Sequence, residues 1–224
     1  MSKDQSATTI ESNWDQEVAN FDDMGLRDPL LRAIYAYGFE KPSVIQKRAI
    51  MPIIKQRNVL AQTARGAGTT AAFTIGLLQR IDPAQRVTQA LVLAPTRELA
   101  GQIQGFVAQL GDWLKVDCHV CVGRSTVKEE VETLRSGVHV VVGTPGRVLD
   151  MISRGALRPD GLKMFVLDET DEMLSAGFKE QIYDMVQSLP FNVQVLLSSR
   201  TMPADVLEMS TRIMRDPVRI LVRE

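Results

Sequence analysis

NVLAQTARGAGTTAAF, residues Asn58 to Phe73, reads as a buried strand, a glycine-bearing loop and the start of a helix. That succession suits a phosphate-binding loop, in which backbone N–H groups and a helix N-terminus face an anion. Gly66 and Gly68 let the backbone approach a ligand and take positive φ. The usual loop of this kind closes on Gly-Lys-Ser/Thr, its lysine reaching the β/γ-phosphates. Here the residues are Gly68-Thr69-Thr70, so the cradle is present without its lysine. Thr70 still offers a hydroxyl to a metal.

Working outward, the next informative stretch is Met164 to Asp171. The apolar run Met164–Leu167 delivers Asp168 and Glu169 at its end, with Thr170 and Asp171 behind them. Adjacent carboxylates at a strand end suit an aspartate that holds Mg²⁺ through water and a glutamate that orients attacking water. Acids complementing the dipole of the following helix are the plainer reading of the same residues. The glycine loop tips the pair toward a nucleotide site.

Around these stretches the chain alternates. Strand-like runs are Val59–Ala61, Ala90–Ala94, Val116–Val122, Val138–Gly143, Met164–Asp168, Val193–Ser199 and Val218–Val222. Helix-like runs are Thr70–Ile81, Arg97–Trp113, Thr126–Leu134, Gly146–Ser153, Glu172–Ser188 and Ala204–Met214, preceded by two helices that end at Gly38 and begin at Pro42. Alternation of this kind predicts α/β architecture, a parallel twisted sheet with helices on both faces and ligands beyond the strand C-termini. Residues 1–20 read as a mobile polar tail, with Trp14 either packed back or exposed, and residues 21–224 as a single domain.

Further clusters follow strands. APTREL (94–99) and GTPGR (143–147) each bring Thr, Pro and Arg to a strand–helix junction. Hydroxyls, a helix N-terminus and arginine are what a phosphodiester backbone needs. Thr96 and Thr144 as N-caps and Pro145 at the first helical position explain the same residues locally, and both roles use the same N–H groups. Cys118 and Cys121 form a lone C-x-x-C in an alternating stretch; His119 beside them completes no metal site, so they read as buried thiols.

The totals limit the alternatives. The chain has 224 residues, 45% hydrophobic and 24% charged, which suffices for a full core. A net charge of -1 confines any nucleic-acid site to a local patch. No apolar run approaches the roughly 18 residues of a membrane span. The N-terminus has no signal-peptide core. A cytoplasmic location is the expectation.

In order, GFEKPSVIQ, AQTARGAGTT, APTRELA, VGTPGR, VLDETDEM and SSRTMP resemble the motifs of the DEAD-box RNA helicases, specifically the translation initiation factor 4A type. The likeness runs from about Ile10 onward. It implies the N-terminal RecA-like domain of the P-loop NTPase class, ATP or ADP with Mg²⁺, and RNA bound without sequence preference. It implies that Gln46 reads adenine and Phe21 stacks on it, with Phe39 and Ser43 in the same nucleotide motif. Gly66, Gly68 and Thr70 would cradle phosphate, Thr70 and Asp168 the metal, with Asp171 beside them; Asp168 and Glu169 would be catalytic. Pro95, Thr96, Arg97, Gly123, Thr144, Gly146 and Arg147 would contact RNA, and Ser199 and Thr201 would couple the two sites. A scaffold of the initiation factor 4G type is the implied protein partner, and the second RecA-like domain is expected to be missing from this chain.

Departures from that pattern sit at ligand positions. Thr69 stands for the lysine, Thr170 for the alanine of D-E-A-D, Arg200 for the alanine of S-A-T, Arg124 for a glycine and Arg65 for a serine. Arg65 is a cation in the loop itself, and Arg200 stands where it could pair with Asp168 or Asp171. Severely impaired ATP hydrolysis is the expectation. A non-catalytic pseudoenzyme, or an altered scaffold that keeps the fold and its partner surfaces, is the alternative.

Overall fold

A computed structural model of the chain describes residues 8–223. Among the described residues, eight strands form one sheet: β1 (Thr9–Ser12), β2 (Val59–Gln62), β3 (Ala90–Leu93), β4 (Cys118–Cys121), β5 (Val140–Gly143), β6 (Met164–Leu167), β7 (Gln194–Ser199) and β8 (Val218–Arg223). Their order is β1-β8-β2-β7-β6-β3-β5-β4. All neighbours run parallel except β1, which pairs antiparallel with β8.

Two apolar layers sandwich the sheet because successive strand residues point to opposite faces. Val59, Ala61, Val92, Val142 and Val166 join one layer; Leu60, Leu91, Leu93, Phe165 and Leu197 join the other. The first layer is covered by α1 (Asp28–Tyr37), α2 (Val44–Ile54), α3 (Thr69–Arg80) and α4 (Arg97–Asp112). The second is covered by α5 (Val127–Arg135), α6 (Pro145–Ser153), α7 (Thr170–Ser175), α8 (Lys179–Ser188) and α9 (Ala204–Ile213).

Two expectations are corrected. The polar tail is not free from residue 8 onward: Ile10 lies opposite Val222 in the sheet, and the Lys55 and Arg57 cations sit 5.4 and 5.8 Å from the Trp14 ring. Its alternation is short and its partner lies at the far end of the chain, which no local signal announces. Residues 1–7 of the expected tail lie outside the described residues. Secondly, the helix expected over 172–188 is two helices. Gly177, at φ 89°, turns the chain between α7 and α8 in a left-handed conformation that glycine adopts freely.

Parallel register fixes what the sheet presents at its C-terminal edge. Gln62 lies opposite Ser199 and Leu167 opposite Leu197 on one half. Leu93, Gly143 and Cys121 are level on the other. The phosphate-type loop and the acids therefore share one half-edge, and the Thr-Pro-Arg junctions share the other.

Candidate nucleotide cleft and adjoining groove

The loop after β2 wraps the start of α3. Gly66 and Gly68 have φ of 85° and 95°, and Gly68 occupies the N-cap position. A Cβ on Gly68 would lie 2.6 Å from Nε2 of Gln46. That amide donates to the Gly68 carbonyl at 3.2 Å while its Oε1 accepts from the Ser43 N–H at 2.9 Å. Ser43 and Gln46 also form the capping box of α2. Ser43 and Gln46 thus brace the loop from behind.

Beside it, the Thr70 hydroxyl donates to Asp168 at 2.7 Å, and the Ser198 hydroxyl donates to the other oxygen of that carboxylate at 2.6 Å. Glu169 caps α7 from a left-handed backbone, φ 50° and ψ 55°, which is rare for a residue with a side chain. Its N–H is held by Asp168 and Ser198. Burial first, then Glu172, pushes the Glu169 carboxyl up to about 7, against the opposing pull of Arg65. Asp171 goes the other way: burial raises it, but hydrogen bonds from Thr201, Ser199 and the Glu172 N–H hold it below the ordinary carboxylate value.

These groups open into a cavity of about 390 Å³. Phe39, Gly66, Gly68, Thr70, Asp168, Glu169, Asp171 and Ser199 line it. Its apolar end is made by Tyr37, Phe39 and Phe106, with Tyr37 and Phe39 stacked at 5.4 Å. A metal-only site is absent: among the described residues, no cluster of three or more His, Cys, Asp or Glu is placed to hold an ion. The hard oxygens of Thr70 and Asp168 fit Mg²⁺ that arrives with phosphates, since Mg²⁺ typically takes one or two carboxylates and leaves the rest to water and substrate.

The positions that depart from the expected pattern behave differently from one another. Thr69 is 8% exposed, and its hydroxyl pairs with that of Thr63 at 2.6 Å. Thr170 is fully buried and its hydroxyl finds the Leu167 carbonyl, so that replacement is absorbed by the fold. Arg65 hydrogen-bonds Glu172 and stands 3.5 Å from Glu169. Pairing of Arg200 with Asp168 or Asp171 does not occur: Asp171 Oδ2 is taken by the Thr201 N–H at 3.0 Å and its hydroxyl at 2.8 Å.

Phe21 and Gln46, the positions the resemblance assigns to adenine, are both buried and stand outside the residues that line the cavity. Phe21 is 1% exposed and packs edge-on against Tyr35 and Phe39. Gln46 is 2% exposed and turned to Ser43 and Gly68. Phe39, Tyr37 and Phe106 are the aromatic groups that a ligand in this cavity meets. Helical periodicity marks Tyr37 and Phe106 only as apolar faces, and their meeting depends on α1 packing against α4.

On the other half-edge, Pro95, Thr96, Arg97, Gly123, Thr144, Gly146 and Arg147 line one open groove of about 630 Å³. Thr96 caps α4 by accepting from the Leu99 N–H at 3.1 Å; Thr144 occupies the N-cap of α6 without using its side chain. Arg97 is exposed, whereas Arg147 is drawn inward to Glu130 of α5, which no motif in the sequence singles out. Cys121 is buried and Cys118 half-buried; burial pushes both thiols well up, which leaves them unreactive. No helix among the described residues is long and apolar enough to cross a membrane.

Comparison with known proteins agrees with this geometry. Residues 43–209 match the DEAD/DEAH box helicase family model. The chain is 59% identical over 217 residues to the "ATP-dependent RNA helicase eIF4A" of Schizosaccharomyces pombe, covering 97% of this chain and 55% of that protein. The Neurospora crassa protein of the same name is 59% identical over 215 residues, covering 96% and 54%. The chain thus spans about half the length of these relatives. Among solved structures, a Saccharomyces cerevisiae Dbp5 variant bound to a Gle1 variant and IP6 superposes with TM-score 0.88 at 35% identity, over 94% of this chain and 54% of that one. A DEAD box protein from Methanococcus jannaschii gives 0.87 at 34%, over 92% and 57%. With a matched family model over most of its length and this RecA-like sheet, the chain belongs to the DEAD/DEAH box helicase family.

Proposed function

We propose that this chain is the N-terminal ATP- and RNA-binding half of an ATP-dependent RNA helicase of the initiation factor 4A type, with severely impaired ATP hydrolysis. The observation that carries the impairment is the Thr63–Thr69 hydroxyl pair at 2.6 Å, which fills the place of the phosphate-facing lysine with a neutral, inward-turned group. Loss of one such electrostatic contact typically lowers rates on the order of 10²–10³.

In this reading Gly66, Gly68 and the α3 N-terminus hold phosphate, and Thr70 and Asp168 hold Mg²⁺, which neutralises phosphate charge when bound. Glu169, with its raised affinity for a proton, orients water and accepts the proton at its carboxylate. Arg97, Thr96, Thr144 and Gly146 take the RNA backbone through side chains and helix N-termini. Ser199 and Thr201, which bond Asp171 at the edge of the nucleotide cavity, couple that cavity to RNA binding. A second RecA-like domain completes the site, and a scaffold of the initiation factor 4G type is the protein partner. Cytoplasmic action accompanies this role.

The test is a coupled ATPase assay with RNA and a second helicase domain supplied in trans. Turnover far below that of a lysine-bearing relative is expected; RNA-stimulated turnover near that relative's level sinks the impairment. The same Thr69 observation favours a second reading, a pseudoenzyme that keeps the fold and partner surfaces. Calorimetry separates them: absence of ADP binding at millimolar ligand favours the pseudoenzyme.

A further inference from the structure

We propose that Arg200 supplies, from the end of β7, the phosphate-facing positive charge that Thr69 does not. This rests on the nucleotide reading of the cavity. Asp168, Glu169, Asp171 and Glu172 all line the cavity, so an anionic ligand needs cations there. Among the described residues, the cationic side chains that line it are Arg65 and Arg200.

Those arginines are not equivalent. Arg65 is engaged by Glu172 and lies 3.5 Å from Glu169. Arg200 is exposed and takes part in none of the ion pairs among the described residues. The acid next to it in space, Asp171, is satisfied by Thr201, and its own N–H donates to Ser199 Oγ at 3.3 Å.

Position then decides the role. β2 and β7 are parallel with Gln62 opposite Ser199, and the Thr63 N–H donates to the Ser199 carbonyl at 3.3 Å. The Gln62 side chain donates to the Arg200 carbonyl at 3.4 Å. The Arg200 backbone is therefore fixed alongside the point where the loop leaves β2, next to Thr63, the residue whose hydroxyl holds Thr69. A long guanidinium side chain anchored there and free at its tip is suited to a polyphosphate, which it meets through paired N–H donors. The ligand class is a nucleoside di- or triphosphate with Mg²⁺.

Calorimetry with Mg·ADP tests the assignment on the unaltered chain, Arg200→Ala, Arg200→Lys and Arg135→Ala. The last removes one exposed cation outside the cavity and corrects for net charge. Arg200→Ala is expected to weaken ADP about tenfold or more, as for loss of a charge-assisted hydrogen bond, and to reduce the salt dependence of binding. Arg200→Lys should recover part of the affinity, and Arg135→Ala should match the unaltered chain. Thermal melting confirms that each variant is folded. ADP affinity unchanged by Arg200→Ala overturns this inference alone. No ADP binding by the unaltered chain overturns both the inference and the nucleotide reading.

Discussion

The Nε–H of Arg147 donates to a carboxylate oxygen of Glu130 at 3.1 Å, in a side-chain environment that leaves Glu130 only 1% exposed. The other oxygen of Glu130 accepts from Ser125 Oγ at 2.9 Å and lies 3.1 Å from His119 Nε2, and Arg147 Nη2 reaches the Ser125 carbonyl. Glu130 therefore ties β4, α5 and α6 together beneath the open groove. Removing one partner of a buried pair leaves the other charge uncompensated, typically at about 3–5 kcal/mol. Glu130→Ala is expected to lose stability of that order in urea denaturation. It should also loosen Arg147, which the salt dependence of RNA binding would register. A loss under about 1 kcal/mol would mean that water replaces the carboxylate freely.

The same carboxylate sets a pH dependence. Burial raises its pKa, but hydrogen bonds from Cys121, Ser125, His119 and Arg147 outweigh that and hold it below the ordinary 4.5. A folded pKa below the unfolded one means that the contribution is fully present above the unfolded value. It is lost as pH falls through the depressed folded value. Stability measured at descending pH from 5 should therefore drop more steeply for the unaltered chain than for Glu130→Gln, which has no proton to bind there. Parallel curves for the two proteins would contradict the depressed pKa.

What was legible in the sequence follows from how local its cause is. The seven strands that alternate with helices could be read because burial on both faces leaves continuous apolar runs such as Val140–Val142. Strand β1 could not, since its pairing with β8 joins opposite ends of the chain. At the site, glycines and strand-end acids announce themselves because their chemistry is unusual for their neighbours. For Phe21 and Gln46 a motif records that they matter, and only packing tells that they contact Tyr35 and Gly68. Glu130 is the converse case, an ordinary-looking helix acid whose burial depends on two other elements, β4 and α6.

Glycine positions in the loop layer give a steric prediction. Gly68 is left-handed, and a Cβ there would meet Gln46 Nε2 at 2.6 Å. Gly68→Ala is expected to cost about 1–2 kcal/mol from the backbone alone and to push Gln46 off the loop. Gly76, within α3, has ordinary helical φ, but its added Cβ would come within 2.4 Å of Ile53 Cγ2 on α2. Gly76→Ala should thus also destabilise, by about 1–3 kcal/mol through overpacking, despite alanine's better helix propensity. Gly101→Ala, where no neighbour lies within 4 Å, serves as the reference and should be neutral or stabilising in the same melts.

Thr69→Lys tests how the empty lysine position is shaped. The substitution removes the hydroxyl partner of Thr63, typically worth about 1 kcal/mol, so the ligand-free protein should melt slightly lower. The new ammonium faces the cavity from the first turn of α3, where phosphate charge is already favoured by the helix N-terminus. ADP affinity should rise about tenfold or more, and the ADP-induced stabilisation should rise with it, as mass action requires. Combining the change with Arg200→Ala gives the sharper reading. If both cations serve the same phosphates, Arg200→Ala should cost less affinity in the Thr69→Lys background than alone, a coupling that a double-mutant cycle measures directly. Lack of any gain from Thr69→Lys would show instead that the Arg65–Glu172 contact holds the loop in a form that admits no phosphate.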